Sequence, residues 1–308
     1  MNLGHSGMRL PPAVNYHLEK ACNLRCRFCY ARFADDDPLR RSRRGLGAAD
    51  AKEVIKRVRA AGAEKITFVG GEPTLCPHLA DLLRFSREIG FVTTLVTNGF
   101  RLDRLLAEAA DCLDWVGLSV DSADEATQAA LGRGRGNHVA ISIGHFRRLH
   151  SLGIRVKLNT VVTSLNWQED MGDFVRLVRP ERWKIFQVLP IEGQNYGTVE
   201  PLLVDRARFD AFVRRHAVLA GEGMMVVPES NEAMTGSYAM IDPLGRFFSN
   251  VGGRHTYSPP ILKVGVEAAF ASIPFDPGRF ASRGGRYDWA AVPAPLMVSR
   301  GTDRSACV

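Results

Sequence analysis

No stretch of this chain is apolar over the about 18 consecutive residues that a membrane-spanning helix requires, so no transmembrane segment is expected. Met1 to Val14 contains Pro11-Pro12 and no apolar h-region, which excludes a secretory signal. The same segment lacks the periodicity of a membrane-surface helix, so no membrane partner is expected. Cysteine is scarce, with six in 308 residues. Three of them, Cys76, Cys112 and Cys307, are scattered without paired spacing, which excludes a disulfide framework and suits a reducing, cytoplasmic setting. Cys76 and Cys112 read as packing residues and Cys307 as a free thiol near the end. The net charge of +7 favours anionic partners. No zinc-finger, homeodomain or RNA-recognition signature accompanies it, so a nucleic-acid partner is not expected. The densest basic cluster, Arg40, Arg41, Arg43 and Arg44, reads as a solvated loop.

What is present is concentrated between Cys22 and Tyr30. Cys22, Cys26 and Cys29 form the pattern C-x3-C-x2-C, with an aromatic residue next to the last. Three close thiolates can wrap one soft metal centre. A closed zinc site wants a fourth ligand, and an iron–sulfur cube is normally held by four cysteines. Three, with no fourth nearby, leave one iron open to a ligand. A zinc knuckle borrowing His17 or a distant cysteine is the competing reading.

The hydrophobic content of 45% is that of an ordinary globular protein. Strands are expected at Val14–Glu19, Lys65–Val69, Phe91–Thr97, Trp115–Val120, Arg155–Val162 and Arg182–Val188. Helices are expected at Ala48–Ala61, His78–Ile89, Leu102–Ala110, His138–Ser151 and Asp170–Val178. Strand, loop and helix recur at roughly 25 to 35 residues, the rhythm of a parallel sheet. The six strands predict an α/β fold closing as a partial (β/α)6 TIM-like barrel. The expected organisation is an N-terminal extension at 1–13, a barrel core at 14–190, and a C-terminal extension with an active-site-covering tail at 191–308. In that extension Phe209–Ala220 reads as a helix, Met224–Pro228 and Ile241–Phe248 as extended segments, and Val264–Ala271 as a short helix. From Pro274 on, Gly, Arg and Pro dominate, which predicts an irregular tail.

Side-chain alternation supplies an independent signal. Along the strands Asn15 and His17 fall on one face, as do Lys65 and Thr67, Arg155, Lys157 and Asn159, and Arg182 and Lys184. The opposite faces carry residues such as Ile66, Phe68, Leu158 and Ile185. Unpaired charges inside a barrel are costly. The polar face therefore either sits in water at strand ends or meets an anion. Lys157, Asn159, Arg182 and Lys184 together suit a di- or triphosphate, since Arg forks pair phosphate oxygens and Lys adds point charge. Gly70-Gly71-Glu72-Pro73 follows a strand at its C-terminal end, where barrel active sites sit. Its glycines allow close ligand approach, and its carboxylate can hold an ammonium. The loop Gly132-Arg133-Gly134-Arg135-Gly136 reads as an anion nest or a connector.

The cysteine trio with Gly70–Pro73 resembles the radical S-adenosylmethionine (SAM) superfamily. Further segments narrow the resemblance. They are Val14-Asn15-Tyr16-His17, Gly132-Arg133-Gly134 with Asn137-His138-Val139, Lys157-Leu158-Asn159, Arg182 to Gln187, Ile191-Glu192-Gly193, Val227 to Asn231, Val264 to Glu267 and Arg283 to Tyr287. Together they are similar to the viperin family, antiviral radical SAM nucleotide dehydratases, from the first strand nearly to the end of the chain.

The resemblance implies the chemistry. Such enzymes convert a ribonucleoside triphosphate (CTP, UTP or GTP) to its 3′-deoxy-3′,4′-didehydro form, a chain terminator in antiviral, here phage, defence. Cys22, Cys26 and Cys29 are implied as ligands of a [4Fe-4S] cluster. Tyr30, Gly70, Gly71, Glu72, Pro73, Asn98, Ser119 and Arg133 are implied as the SAM site. The substrate site is expected from Asn15, His17, Lys65, Lys157, Asn159, Arg182 and Lys184. Tyr287 is expected in a tail that closes over the barrel mouth, ordering the site or donating hydrogen. An electron-donating reductase, flavodoxin or ferredoxin is implied as partner, to a monomeric enzyme.

Two departures from the family's animal members stand out. Their N-terminal membrane anchor and acidic-aromatic C-terminus have no counterpart here, which leads to the expectation of a soluble, microbial-type enzyme. Base-reading residues are expected between Pro228 and Tyr257, where Asn250 to Arg254 differs from the basic animal segment. The rival readings are another radical SAM enzyme acting on a phosphorylated substrate, and a non-catalytic metal- or nucleotide-binding module.

Overall fold

A computed structural model describes residues 9–34 and 45–289. The basic cluster Arg40 to Arg44 and Cys307 lie outside the described residues. Ten strands form one sheet: β1 (Ala13–His17), β2 (Lys65–Val69), β3 (Val92–Thr97), β4 (Trp115–Ser119), β5 (Arg155–Val162), β6 (Arg182–Gln187), β7 (Met225–Glu229), β8 (Ala239–Ile241), β9 (Arg246–Ser249) and β10 (Thr256–Pro260). Their spatial order is β10-β9-β8-β1-β2-β3-β4-β5-β6-β7.

From β1 to β6 each strand pairs in parallel with the next, joined by helical crossovers. This is the expected partial barrel. It is wider than the six expected strands, because β7 adds in parallel beside β6 and β8 in parallel beside β1. The chain after Pro190 thus extends the same sheet on both flanks, and the curved sheet is left open. Ile241–Phe248 is not one extended segment. Asp242, Pro243, Leu244 and Gly245 turn the chain, with Gly245 at φ 70, and β9 returns antiparallel to β8. β10 ends in Pro259-Pro260. It tolerates them because it lies at the sheet edge and pairs only with β9.

The two faces of the strands follow the alternation. Ile66, Phe68, Val116, Leu158, Trp183 and Ile185 are fully buried against the helices. The covering helices include Ala48–Ala60, which buries Val54, Ile55 and Val58, and Leu79–Glu88, which buries Leu82 and Leu83. The opposite face of the strands lines a bore. Short helices at Glu125–Ala130 and Pro277–Ser282, not expected from periodicity, are each capped by an aspartate side chain, Asp124 and Asp276.

Candidate active site

The bore is a cavity of about 790 Å³, toward the roomy end of small-molecule sites. Its two ends differ in chemistry. At the C-terminal ends of the strands, Cys22, Cys26 and Cys29 line it together with Tyr30, Gly70, Gly71, Glu72, Asn98, Ser119 and Arg133. Nearer the N-terminal ends, Lys65, Lys157, Arg182, Lys184 and Arg283 line it, with Asn159, Tyr238 and Tyr287. The structure thus brings together nearly all of the expected site residues. Pro73 does not line the bore. It opens the buried turn Pro73–Leu75 behind Glu72.

The cysteine loop is clamped by glycines. A Cβ on Gly71 would lie 2.3 Å from the Ala21 carbonyl oxygen, and one on Gly132 would lie 2.3 Å from that of Arg25. The Gly71 and Glu72 amides donate to the carbonyls of Glu19 and Ala21, at 2.6 and 2.8 Å. On the other side, the Arg25 amide donates to Gly132 and the Arg27 amide to Leu131. The glycine-rich loop therefore buttresses the cysteine loop. All three thiols are free. Burial, with the neighbouring thiols adding to it, pushes the Cys29 thiol up to about 11. A metal that takes thiolates must displace these protons. Among the described residues no group of three His, Cys, Asp or Glu side chains suits a single metal ion. Three sulfurs at one end of a shared cavity are a donor set that would hold an iron–sulfur cluster.

Glu72 is 1% exposed. Its Oε1 accepts from the Thr74 amide (3.1 Å), the Thr74 hydroxyl (2.7 Å) and the Thr97 hydroxyl (2.6 Å), and its Oε2 from the Asn98 amide (2.9 Å). All these partners are neutral donors, so the carboxylate is oriented and its charge left for a ligand. Asn98 Nδ2 reaches Asn23 at 2.9 Å and faces Cys22 Sγ at 3.9 Å. Arg133 is committed to the buried Asp121, which was not foreseen as a site residue. The Ser119 carbonyl bonds His138 Nε2 at 2.9 Å.

His17 is buried among Phe33, Phe248 and Tyr30, with ring centroids at 5.3, 5.2 and 6.4 Å. Neither ring nitrogen has a hydrogen-bond partner. Burial, aided by nearby His255, holds its pKa down at about 3, so the ring is neutral. Asn15, on the same face, lines the bore beside it.

At the other end the cations crowd. Burial first drives Lys65 and Lys157 well below the usual lysine range, joined at Lys65 by Lys184, Arg182 and Arg283 and at Lys157 by Lys65, Arg182 and Lys184. Lys184 Nζ lies 2.6 Å from Glu229 Oε1 and 2.6 Å from the Tyr238 hydroxyl, which in turn donates to Glu229. Burial still lowers Lys184 to about 8. Glu229 is fully buried, and Lys184 and Arg283 outweigh its burial, holding its pKa below the usual value. Asn159 Oδ1 is buried without a partner. Tyr238 and Glu229 fall in the stretch expected to read the base but stand at the basic end of the bore, and Arg283 was not expected as a site residue. The alternation of Tyr238 with Met240 was the available signal for the first. Arg155 leaves the bore, pairing with Glu181 at 2.8 Å and stacking 3.9 Å from the Trp115 ring.

The described part of the tail, to Trp289, closes the end of the bore opposite the cysteines, not the mouth. Gly284 O accepts from Arg182, Arg286 pairs with Glu64, and the Trp289 carbonyl accepts from Trp115 Nε1 at 3.0 Å. All these partners stand at or beside the starts of β2, β4 and β6. Tyr287 plugs that end, its hydroxyl 2.6 Å from Lys157 Nζ and 3.1 Å from Lys65 Nζ. Its level was not readable from the sequence because its partners stand 130 and 222 residues away.

Comparison with known proteins agrees with this geometry. Residues 18–178 match the radical SAM superfamily. A protein of Flammeovirga pacifica named S-adenosylmethionine-dependent nucleotide dehydratase is 39% identical over 293 residues, covering 94% of this chain and 100% of its own. A Lacinutrix mariniflava protein of the same name is 39% identical over 90% of this chain and 59% of its own length. The Streptococcus suis SuiB structure bound to S-adenosylmethionine shares the fold, with a TM-score of 0.66 at 15% identity, over 91% of this chain and 69% of that one. Among the described residues no helix is long and apolar enough to cross a membrane. The chain belongs to the radical SAM superfamily and, within it, to the SAM-dependent nucleotide dehydratases of the viperin family.

Proposed function

We propose that this enzyme dehydrates the ribose of a ribonucleoside triphosphate, giving the 3′-deoxy-3′,4′-didehydro nucleotide for antiviral defence. The observation that carries the reading is the polarity of the bore: thiols and an unpaired carboxylate at one end, five basic side chains at the other. A nucleotide lying along it places its phosphates on Lys65, Lys157, Arg182 and Lys184 and its ribose toward the cysteines. Cys22, Cys26 and Cys29 would hold the [4Fe-4S] cluster, and Glu72, Asn98 and the Gly70-Gly71 backbone would hold SAM, with Glu72 taking its ammonium. Tyr30, Ser119 and Arg133 line the same end. When bound, cluster and SAM supply a carbon radical that takes one hydrogen atom from the ribose.

The chain's own part is placement. Strands set the distance between the two ends, at about 3.3 Å per residue. Lys65 stands four residues before Val69, so the floor lies on the order of 13 Å below the cysteine loop. A nucleotide long enough to reach from that floor toward the loop meets SAM as a bound neighbour, which turns their encounter into a unimolecular step. Asn159, with an open amide oxygen, suits a hydroxyl donor of the substrate. Neutral His17, with two open nitrogens, suits the base or a ribose hydroxyl better than a phosphate. An electron-donating reductase, flavodoxin or ferredoxin serves a monomer in this reading. Anaerobic incubation of the cluster-loaded enzyme with SAM, a reductant and each of the four ribonucleotides tests it. Formation of 5′-deoxyadenosine that depends on one nucleotide is expected, and no stimulation by any of the four would overturn the reading.

A further inference from the structure

We propose that the enzyme takes its nucleoside triphosphate free of divalent metal, the basic side chains of the bore providing the neutralisation that magnesium gives elsewhere. This rests on the nucleotide reading above and narrows it to one ionic form of the substrate.

Charge matching carries the inference. A triphosphate bears roughly four negative charges near neutral pH, since its terminal group ionises twice with a second pKa of about 6. Five basic side chains, Lys65, Lys157, Arg182, Lys184 and Arg283, line the phosphate end of the bore. One carboxylate, Glu229, stands behind them, 2.6 Å from Lys184 and 3.8 Å from Arg283. When all are ionised, the cluster has a surplus of four positive charges, the complement of the metal-free anion. Magnesium would halve the ligand's charge, so only half of the positive charge the cluster can carry would find a counter-charge, and the buried lysines beyond that number would stay neutral.

The oxygen ligands point the same way. Protein-bound magnesium on a nucleotide is held by one or two carboxylates besides the phosphates. Among the described bore-lining residues the carboxylates are Glu72 and Asp121, both at the cysteine end. Glu72 is fixed by Thr74, Thr97 and the Asn98 amide beside the cysteine loop, away from the phosphate end, and Asp121 is paired with Arg133. Glu229 does not reach the wall of the bore and is occupied by Lys184 and Tyr238. The phosphate end therefore presents cation after cation and, among the described residues, no carboxylate.

Calorimetric titration of the cluster-loaded, SAM-bound enzyme with its preferred nucleotide, and separately with inorganic tripolyphosphate, tests the proposal. The two media contain either EDTA or magnesium at matched ionic strength. Where magnesium holds about nine-tenths of the nucleotide, the apparent Kd should weaken about tenfold, because the competent form is one-tenth of the total. Expressed against metal-free nucleotide, the affinity should then be constant. An affinity constant against total nucleotide, or tighter with magnesium, overturns the inference and leaves the nucleotide reading standing. Absence of nucleotide binding in both media overturns both.

Discussion

The Tyr287 hydroxyl lies 2.6 Å from Lys157 Nζ at the end of the bore away from the cysteines. Its ring also stacks 4.1 Å from the Arg182 guanidinium. In the proposed pose this sets the described part of the tail, to Trp289, at the phosphate end and Tyr287 away from the ribose. Tyr287→Phe should therefore raise KM and leave kcat close to wild type. A lost hydrogen bond to a charged group is worth about 1.5–3 kcal/mol, or roughly ten- to hundredfold. Steady-state kinetics check this. A large fall in kcat at unchanged KM would restore a hydrogen-donor role.

Nucleotide affinity should fall as pH rises from about 8. Burial holds Lys184 at about 8 in the free protein, and Lys65 and Lys157 well below their usual range. A bound polyanion raises all three. Between the free and bound values, binding takes up protons, so affinity is highest below that window and is lost as pH climbs through it. Titration in buffers of different ionisation enthalpy should show net proton uptake at pH 8.5.

Glu72→Gln should load its cluster normally and bind SAM at least tenfold more weakly. The amide keeps an acceptor for Thr97 and Thr74 and loses the charge that faces an ammonium, about 1.5–3 kcal/mol. Iron content with SAM titration followed by absorbance separates the two. Equal loss of cluster and of SAM would mean that Glu72 acts by shaping the loop.

Gly71→Ala should reduce both stability and iron per chain. Its Cβ would fall 2.3 Å from Ala21 O and 2.6 Å from Lys20 O, backbone atoms that lead directly into Cys22. Gly221→Ala, where the backbone is likewise outside the positive-φ region and a Cβ would meet nothing within 4 Å, serves as the comparison without the crowding. Thermal unfolding and iron analysis should show a larger loss for Gly71 in both.

The sheet from β1 to β6 was legible because each strand carries its own alternation, and each crossover helix its own apolar stripe. The same alternation pointed Asn15, His17, Lys65, Lys157, Asn159, Arg182 and Lys184 into one space. What lay beyond local pattern was missed. β8 has only three residues, too few for a period, and the turn that separates it from β9 was read through despite Asp242-Pro243 and Gly245. Glu229 and Tyr238, from the end of β7 and just before β8, meet Lys184 although β7 and β8 flank the sheet on opposite sides, and Arg283 joins them through Glu229. The tail was expected at the mouth because active sites open there. Its own contacts, Trp289 with Trp115 and Arg286 with Glu64, tie it to the starts of the strands instead.

The central claim is that the bore presents a ribose carbon of a triphosphate to the cysteine end. Anaerobic turnover with SAM and a nucleotide deuterated at C4′, followed by mass spectrometry, tests it most directly. The account predicts 5′-deoxyadenosine carrying one deuterium, and a nucleotide product without deuterium that is lighter by one water than the unlabelled substrate. Unlabelled 5′-deoxyadenosine formed at the same rate with and without nucleotide would contradict it.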